Sequence, residues 1–312
     1  VLRRLASVSR LRWALAAGAL AALACASIPP PPRETGQLFL WEVARPDGRG
    51  GVAHVLGSVH LSDDEIAFDP AVESALAGAE TLVLEVDPEE LEPARIAALT
   101  AESGFFADGR TLEDVLATET FELLLERLER DGLPRDPFLR MEPWLVGMTL
   151  QMIELERQGY EPERGVEAAL AQAAGGAGKE ITGLETAEAQ IAALDSLPLS
   201  TQELMLRDAL ERRGGREGWL ALLLDAWHKG DTARIEAEIF AGLGTDPDLD
   251  RYFEALFFER NRRMALGIAE LVDRGAPAFV VVGAGHVVGA RGVLALLAEK
   301  GYAVRRLPKT RR

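Results

Sequence analysis

The chain has 312 residues, 48% of them hydrophobic, a formal net charge of −16 and a pI of about 4.8. The apolar share supports a packed core and excludes a disordered chain. An acidic surface repels phosphates, so nucleic acid is excluded as a partner.

The first 24 residues differ in kind from the rest. Arg3, Arg4, Arg10 and Arg12 precede an uncharged, alanine- and leucine-rich run at 13–24. That run is shorter than the about 20 apolar residues a spanning helix needs, and it fits the apolar region of a secretory signal peptide. Ala22-Leu23-Ala24 precedes Cys25, the single cysteine, in a pattern that resembles the lipobox of bacterial lipoproteins. Lipidation of Cys25 is the expectation. Ala22 stands where such boxes usually carry leucine, which leaves plain signal-peptidase cleavage open, and a small core thiol is the structural alternative. Residues 25–36 then read as a proline-rich spacer.

Residues 38–43 and 52–57 are apolar, strand-type segments joined by the turn cluster Arg45-Pro46-Asp47-Gly48-Arg49-Gly50-Gly51, which predicts a β-hairpin. Asp69-Pro70 opens a helix to about Ala79, with proline where its missing N–H costs nothing. Residues 82–87 form a third strand, apolar except for Glu85 and Asp87 at its end. From Glu89 to about Gly176 the signals are helical. Thr111 and Asp114 resemble a capping box, and Glu142-Pro143 starts a helix to about Gln158. Residues 179–183 are a short strand. Helices resume from Thr186 to about Gly242, and a long one runs from about Asp248 to Arg274, where Gly275-Ala276-Pro277 stops it. A strand at 279–282, a helix at about 289–300 and a strand at 303–307 complete the chain. The basic residues Arg305, Arg306, Lys309, Arg311 and Arg312 read as a solvated terminus. Strands, then helices, then strands again require sequentially distant strands to share one sheet. The prediction is one α/β domain over residues 37–308, a central mixed sheet with flanking helices and a large helical insertion over about 89–275.

A glycine stands three residues before a histidine twice, in Gly57-Ser58-Val59-His60 and in Gly283-Ala284-Gly285-His286, each time behind an apolar strand. Ligands in an open α/β sheet sit beyond the carboxyl ends of its strands, so His60 and His286 can meet. Imidazole is the commonest transition-metal ligand and a base near neutral pH; the bland alternative is two strand-end histidines with structural hydrogen bonds. Glu85 closes a buried-type strand, where a carboxylate either faces a polar cleft or loses hydration at large cost, so it is the candidate metal ligand or base. Asp87 shares its strand parity and could equally cap the next helix. Glu185 follows a short strand and could also serve a helix start. Among Arg260-Asn261-Arg262-Arg263, one arginine could hold a carboxylate or oxyanion, and a basic surface face is the alternative. His54, His228 and Glu42 read as structural or exposed. No H-E-x-x-H, Gly-x-Ser-x-Gly, P-loop or dinucleotide fingerprint is present.

Seven stretches together resemble the TraB/GumN family, which includes the Tiki-type metalloproteases, over about 38–307. They are Leu40-Trp41-Glu42-Val43, Leu56-Gly57-Ser58-Val59-His60, Leu82-Val83-Leu84-Glu85-Val86-Asp87, Arg164-Gly165-Val166-Glu167, Gly183-Leu184-Glu185-Thr186, Glu259-Arg260-Asn261 and Val282-Gly283-Ala284-Gly285-His286. The chain is more distantly similar to erythromycin esterase-like and ChaN-like proteins. The resemblance implies an α/β fold with a mixed sheet. It implies His60, Glu85 and His286 as catalytic residues and metal ligands, and it places Arg260, Asn261 and Glu185 on family-typical positions. Arg260 is expected to act in catalysis, Glu185 and Asn261 in substrate binding. In the Tiki-type branch the implied activity is peptide hydrolysis with a divalent metal, manganese or cobalt ahead of zinc. The expectation is therefore a cell-envelope or secreted metal-dependent hydrolase acting on a peptide or small molecule, touching a membrane only through a lipid at Cys25. The alternatives are an envelope protein binding haem or another ligand, and a metal-free hydrolase in which histidine activates water.

Overall fold

The computed structural model describes residues 32–60, 66–160, 165–211 and 219–310. The expected leader and Cys25 lie outside the described residues. Among the described residues no helix is long and apolar enough to cross a membrane.

Six strands make one mixed sheet: β1 (Gln37–Ala44), β2 (Val52–Ser58), β3 (Thr81–Val86), β4 (Glu180–Glu185), β5 (Ala278–Gly283) and β6 (Ala303–Pro308), in the order β4-β3-β5-β2-β1-β6. The expected hairpin forms, with Leu40 opposite Leu56 and Val43 opposite Ala53. β2, β5, β3 and β4 run parallel. A parallel strand covered on both faces reads as an unbroken apolar run, and every residue of β5, Ala-Phe-Val-Val-Val-Gly, is buried.

The position of β5 assembles the site. It comes late in the chain yet inserts between β2 and β3, with Ser58 in register with Gly283 and Val83 with Val280. The carboxyl ends of β2, β5 and β3 therefore open on one edge. Behind them lies the Glu259–Arg274 helix. Its residues Arg260, Met264, Ile268 and Val272, spaced by four, form one buried stripe. Gly275 ends it in the left-handed conformation at φ 94. The long helix expected from 248 to 274 is a continuous rod with one irregularity, a π-helical turn at Glu254–Phe258.

Away from the sheet, a second apolar cluster of Leu112, Leu124, Leu128, Phe138, Val146, Leu150 and Leu206 holds the helical layer together. Arg127 is buried there, 2.6 Å from Asp131 and 3.1 Å from Glu154, and Arg157 reaches Asp131 at 2.9 Å. Charges removed from water in this way require partners.

Local signals act where the chain order places them. Asp69 Oδ1 accepts from the Ala71 N–H at 2.9 Å, and the Thr111 N–H donates to Asp114 Oδ2 at 2.8 Å. The short strand expected at 179–183 forms as β4 and pairs with β3 as the sheet edge. Two positions differ from expectation. Glu185 closes β4, and the next helix is capped instead by Thr186, whose hydroxyl accepts from the Ala189 N–H at 3.2 Å. The strand expected at 303–307 forms as β6, with Arg305 exposed and Arg306 half-buried rather than solvated. Arg305 meets Glu42 at 2.6 Å, while Arg306 donates to the carbonyls of Leu38 at 2.7 Å and Gly230 at 2.8 Å and lies over the rings of Phe39 and Trp41. An arginine stem covering apolar rings with its head on carbonyls seals the β1 side of the sheet. Arg311 and Arg312 lie outside the described residues.

Candidate active site

Gly283, the last residue of β5, stands at the centre. Its N–H donates to Glu85 Oε1 at 2.6 Å. A methyl group added at Gly283 would meet His60 Nε2 at 2.9 Å, Glu85 Oε1 at 3.3 Å and His286 Cδ2 at 3.5 Å. The three side chains singled out in the sequence thus converge on one point, and the missing Cβ leaves the space between them open. His60 lies two residues beyond β2. His286 sits in the single helical turn Ala284–Val287 after β5, with Nε2 3.7 Å from Glu85 Oε1.

Each imidazole is held from behind. His286 Nδ1 lies 2.6 Å from Asn261 Oδ1, while Asn261 Nδ2 donates to the Arg291 carbonyl at 2.9 Å. The amide is thereby oriented, its oxygen is an acceptor, and the His286 proton belongs on Nδ1. The Nε2 lone pair then faces Glu85. Phe257 packs against the ring at 5.2 Å between centroids. His60 Nδ1 lies 2.7 Å from Glu167 Oε1, which also accepts from Ser58 Oγ. That imidazole–carboxylate contact is short but poorly aligned as a hydrogen bond, so it acts as an ion pair.

Arg260, buried on its helix, clamps two carboxylates. Nη2 donates to Glu85 Oε2 at 2.6 Å, Nε donates to Glu185 Oε1 at 2.9 Å, and Nη1 donates to the Leu256 carbonyl in the π-helical turn at 2.9 Å. Nη2 also donates to Glu185 Oε1. Gln190 bridges the same pair, at 3.2 Å to Glu85 Oε2 and 2.9 Å to Glu185 Oε1.

Burial works against ionising Glu85, but His286, Arg260, His60 and the Gly283 N–H outweigh it and hold its pKa down at about 2. Burial pushes His286 down to about 3, with Glu85 opposing and Arg260 and His60 assisting. An imidazole neutral at pH 7 lends no full charge, so at that pH the Glu85 carboxylate rests on Arg260 and His60. For His60 burial is again the largest influence and lowers it, yet the combined pull of Glu167 and Glu85 raises it to about 9. The centre pairs a protonated His60 with a neutral His286 across an ionised Glu85.

Two cavities meet at His60. One, of about 230 Å³, lies on the Glu85, Glu167 and Gln190 side. The other, of about 30 Å³, lies on the His286 side beneath Phe257 and Ile239.

The TraB/PrgY/gumN family model matches residues 39–306. The chain belongs to that family. It is similar to the uncharacterized protein YbaP of Shigella flexneri, 27% identical over 169 residues, covering 52% of this chain and 60% of that protein. YbaP of Escherichia coli strain K12 is 28% identical over 148 residues, covering 46% of this chain and 52% of that protein. The chain thus spans little more than half the length of the curated relatives it matches. No solved structure matches it.

Within this family fold, His60, Glu85, His286 and Arg260 are brought together, with Glu185 behind Arg260 and Asn261 behind His286. Asn261 and Glu185 spend their polar atoms on protein partners, inside the site. Asp87 turns away and accepts from the Glu89 N–H at 2.9 Å. Three participants are absent from the sequence expectation. Glu167 lies in the quoted Arg-Gly-Val-Glu stretch but reads as an acidic first helical turn. Ser58 sits between glycine and histidine in the first motif. Gln190 carries no signal at all.

By donor chemistry, two imidazole Nε2 atoms beside a carboxylate suit a divalent cation, and both rings carry outer partners of the kind that orient metal-binding histidines. Among the described residues, no three such side chains already stand in a metal-holding arrangement. Glu85 gives one oxygen to Arg260 and the other to Gly283.

Proposed function

We propose that this centre is hydrolytic and works with a divalent metal ion held by His60, His286 and Glu85. One observation carries the reading: His60 Nε2 and Glu85 Oε1 face the space left by the missing Gly283 Cβ, and the His286 ring borders the same space with its Nε2 3.7 Å from Glu85 Oε1, while both Nδ1 atoms lie against protein partners. A divalent cation there supplies an acidified water and polarises a carbonyl. Nitrogen and oxygen donors without a thiolate suit manganese or cobalt as well as zinc.

The remaining work falls to the chain. Arg260 pins Glu85 Oε2, so that Oε1 stays at the common point, and its charge offsets Glu85 and Glu185. With all of its nitrogens on protein acceptors, it acts as a positioning residue. Asn261 keeps the proton on His286 Nδ1 and Glu167 favours one on His60 Nδ1, so that His60 Nε2 would be available to hold the ion once its own proton has passed to water. The substrate is a peptide or small molecule that enters beside His60. Placement in the cell envelope follows from the leader pattern at 1–24 and from Cys25.

The test is hydrolysis of a peptide mixture by the purified protein, followed by mass spectrometry, after exhaustive chelation and again after adding Mn²⁺ or Co²⁺. Cleavage only with metal supports the proposal. Cleavage that survives chelation favours the metal-free reading, for which a neutral His286 with a free Nε2 is the specific support. The haem reading has no such support: the two rings border one small space next to a carboxylate rather than a broad apolar slot.

A further inference from the structure

The two cavities that meet at His60 differ in a way that bears on the substrate. The space on the His286 side, about 30 Å³, has room for about one or two waters, each needing ~10–15 Å³. The cleft on the other side, about 230 Å³, exceeds the roughly 150 Å³ of an apolar cavity that accepts a benzene ring. It is still smaller than the about 300–1,000 Å³ typical of sites that enclose a whole drug-sized ligand. Its size fits one bulky group of a larger molecule.

Its lining is apolar away from the centre. Leu84, Val86, Pro88 and Leu91 come from the end of β3 and the turn after it, and Ala168 and Ala171 from one face of the Val166–Gly176 helix. The polar groups, Glu85, Glu167, Gln190 and His60, belong to the catalytic centre. Glu85 and Gln190 are spent on Arg260, Gly283 and Glu185, while Glu167 holds His60 through Oε1 and, among the described residues, keeps Oε2 without a hydrogen-bond partner. The far end offers only dispersion contacts and apolar burial. Burying a leucine- or phenylalanine-sized side chain there is favourable because its apolar surface leaves water. The alanines at 168 and 171, three apart on the helix, keep the cleft wide, since any larger residue at either would fill it.

We propose that this cleft is the specificity pocket of the site and that it takes a bulky apolar side chain, aromatic or branched aliphatic, next to the bond that reacts at His60, Glu85 and His286. This rests on the hydrolytic reading for its second half only; the pocket itself can be read by binding alone. The substrate class is a peptide with a large apolar residue at that position, and glycine or a charged residue there is disfavoured.

The experiment has two arms. In the first, protein labelled at alanine methyl groups is titrated with N-acetyl-L-phenylalaninamide and with N-acetylglycinamide. The phenylalanine probe should shift the Ala168 and Ala171 methyl resonances and bind at least tenfold more tightly than the glycine probe. In Ala171→Phe, a change at a half-exposed helical position that lines the cleft one turn beyond Glu167, that difference should vanish while the protein stays folded. Equal binding of the two probes, or unchanged selectivity in Ala171→Phe, overturns the pocket. In the second arm, cleavage sites in a peptide mixture are compared between wild type and Ala171→Phe. Wild type should favour large apolar residues at one position beside the cut, and the variant should favour glycine and alanine there. Selective binding without any cleavage keeps the pocket and removes the hydrolytic reading. Cleavage without apolar preference keeps the hydrolytic reading and removes the pocket.

Discussion

Replacing Arg260 with methionine keeps an unbranched apolar stem and removes the guanidinium. Glu85 and Glu185, with side chains only 8% and 4% exposed, then face each other without a cation between them. The Leu256 carbonyl loses its donor as well. Removing one partner of a buried ion pair costs about 3–5 kcal/mol, because the remaining charge stays out of water unpaired. Against a usual total stability of about 5–15 kcal/mol, that is a large fraction. With a urea slope of about 3 kcal/mol per molar, the unfolding midpoint should fall by roughly 1–1.7 M. The pH dependence identifies the cause. The folded pKa of Glu85, about 2, lies below its ordinary 4.5, so its ionised form stabilises the fold above the ordinary value and that contribution is lost as pH falls through 2. Without Arg260 Glu85 accepts a proton more readily. The deficit of the variant should be full near pH 7 and shrink toward about pH 4–5. Adding Glu185→Gln should restore at least about 1 kcal/mol, a coupling expected of contacting charges. Urea melts by circular dichroism at several pH values measure all of this. A midpoint loss under about 0.3 M, or a deficit indifferent to pH, refutes the role of Arg260 as the neutraliser of both glutamates.

Three further outcomes follow from the same structure. Gly283→Ala places a methyl 2.9 Å from His60 Nε2 and 3.3 Å from Glu85 Oε1, so metal binding and hydrolysis should be abolished, while overpacking lowers stability by only about 1–3 kcal/mol. Calorimetric Mn²⁺ binding and a thermal melt on the same sample separate the two effects. Asn261→Leu removes the partner of His286 Nδ1 and should weaken metal affinity about 10–100-fold while the other ligands remain. Wild-type affinity in a folded Asn261→Leu would contradict that positioning role. In the helical layer, burial would raise the Asp131 pKa, but Arg127 and Arg157 hold it below its ordinary 3.8. Its contribution is present above that value and lost as pH falls below it. Asp131→Asn should therefore flatten the acid limb of the stability curve below about pH 4, measured by melting temperature against pH.

His60, Glu85 and His286 are legible in the sequence because each contrasts with its surroundings, a titratable group at the end of an apolar, β-branched run. Their meeting is only partly legible. Chain order shows that distant strands share a sheet, but the insertion of β5 between β2 and β3 is a tertiary fact, and it puts all three residues on one edge. Arg260 is legible as one of three arginines in a row of four residues. Which of them turns inward depends on the phase of the helix after the π-helical turn, and local pattern does not fix that phase. Asn261 is expected in substrate binding only through its family-typical position; in the fold it is fully buried behind His286. Glu167 is hidden by a competing explanation, because an acidic residue in a first helical turn already suits the helix dipole. The basic C-terminal stretch misleads for a related reason. Basic residues close to one another suggest solvent, yet in the expected strand Arg306 folds onto the β1 rings and carbonyls while Arg305 stays exposed.

The most direct measurement is Mn²⁺ titration of the purified protein, followed by the electron paramagnetic resonance signal of the free ion, for wild type and for His60→Ala, His286→Ala and Glu85→Gln. The expected result is one tight site per wild-type chain, lost in each of the three variants while circular dichroism shows them folded. Binding that persists unchanged when His60 or His286 is replaced would contradict a shared centre at Gly283.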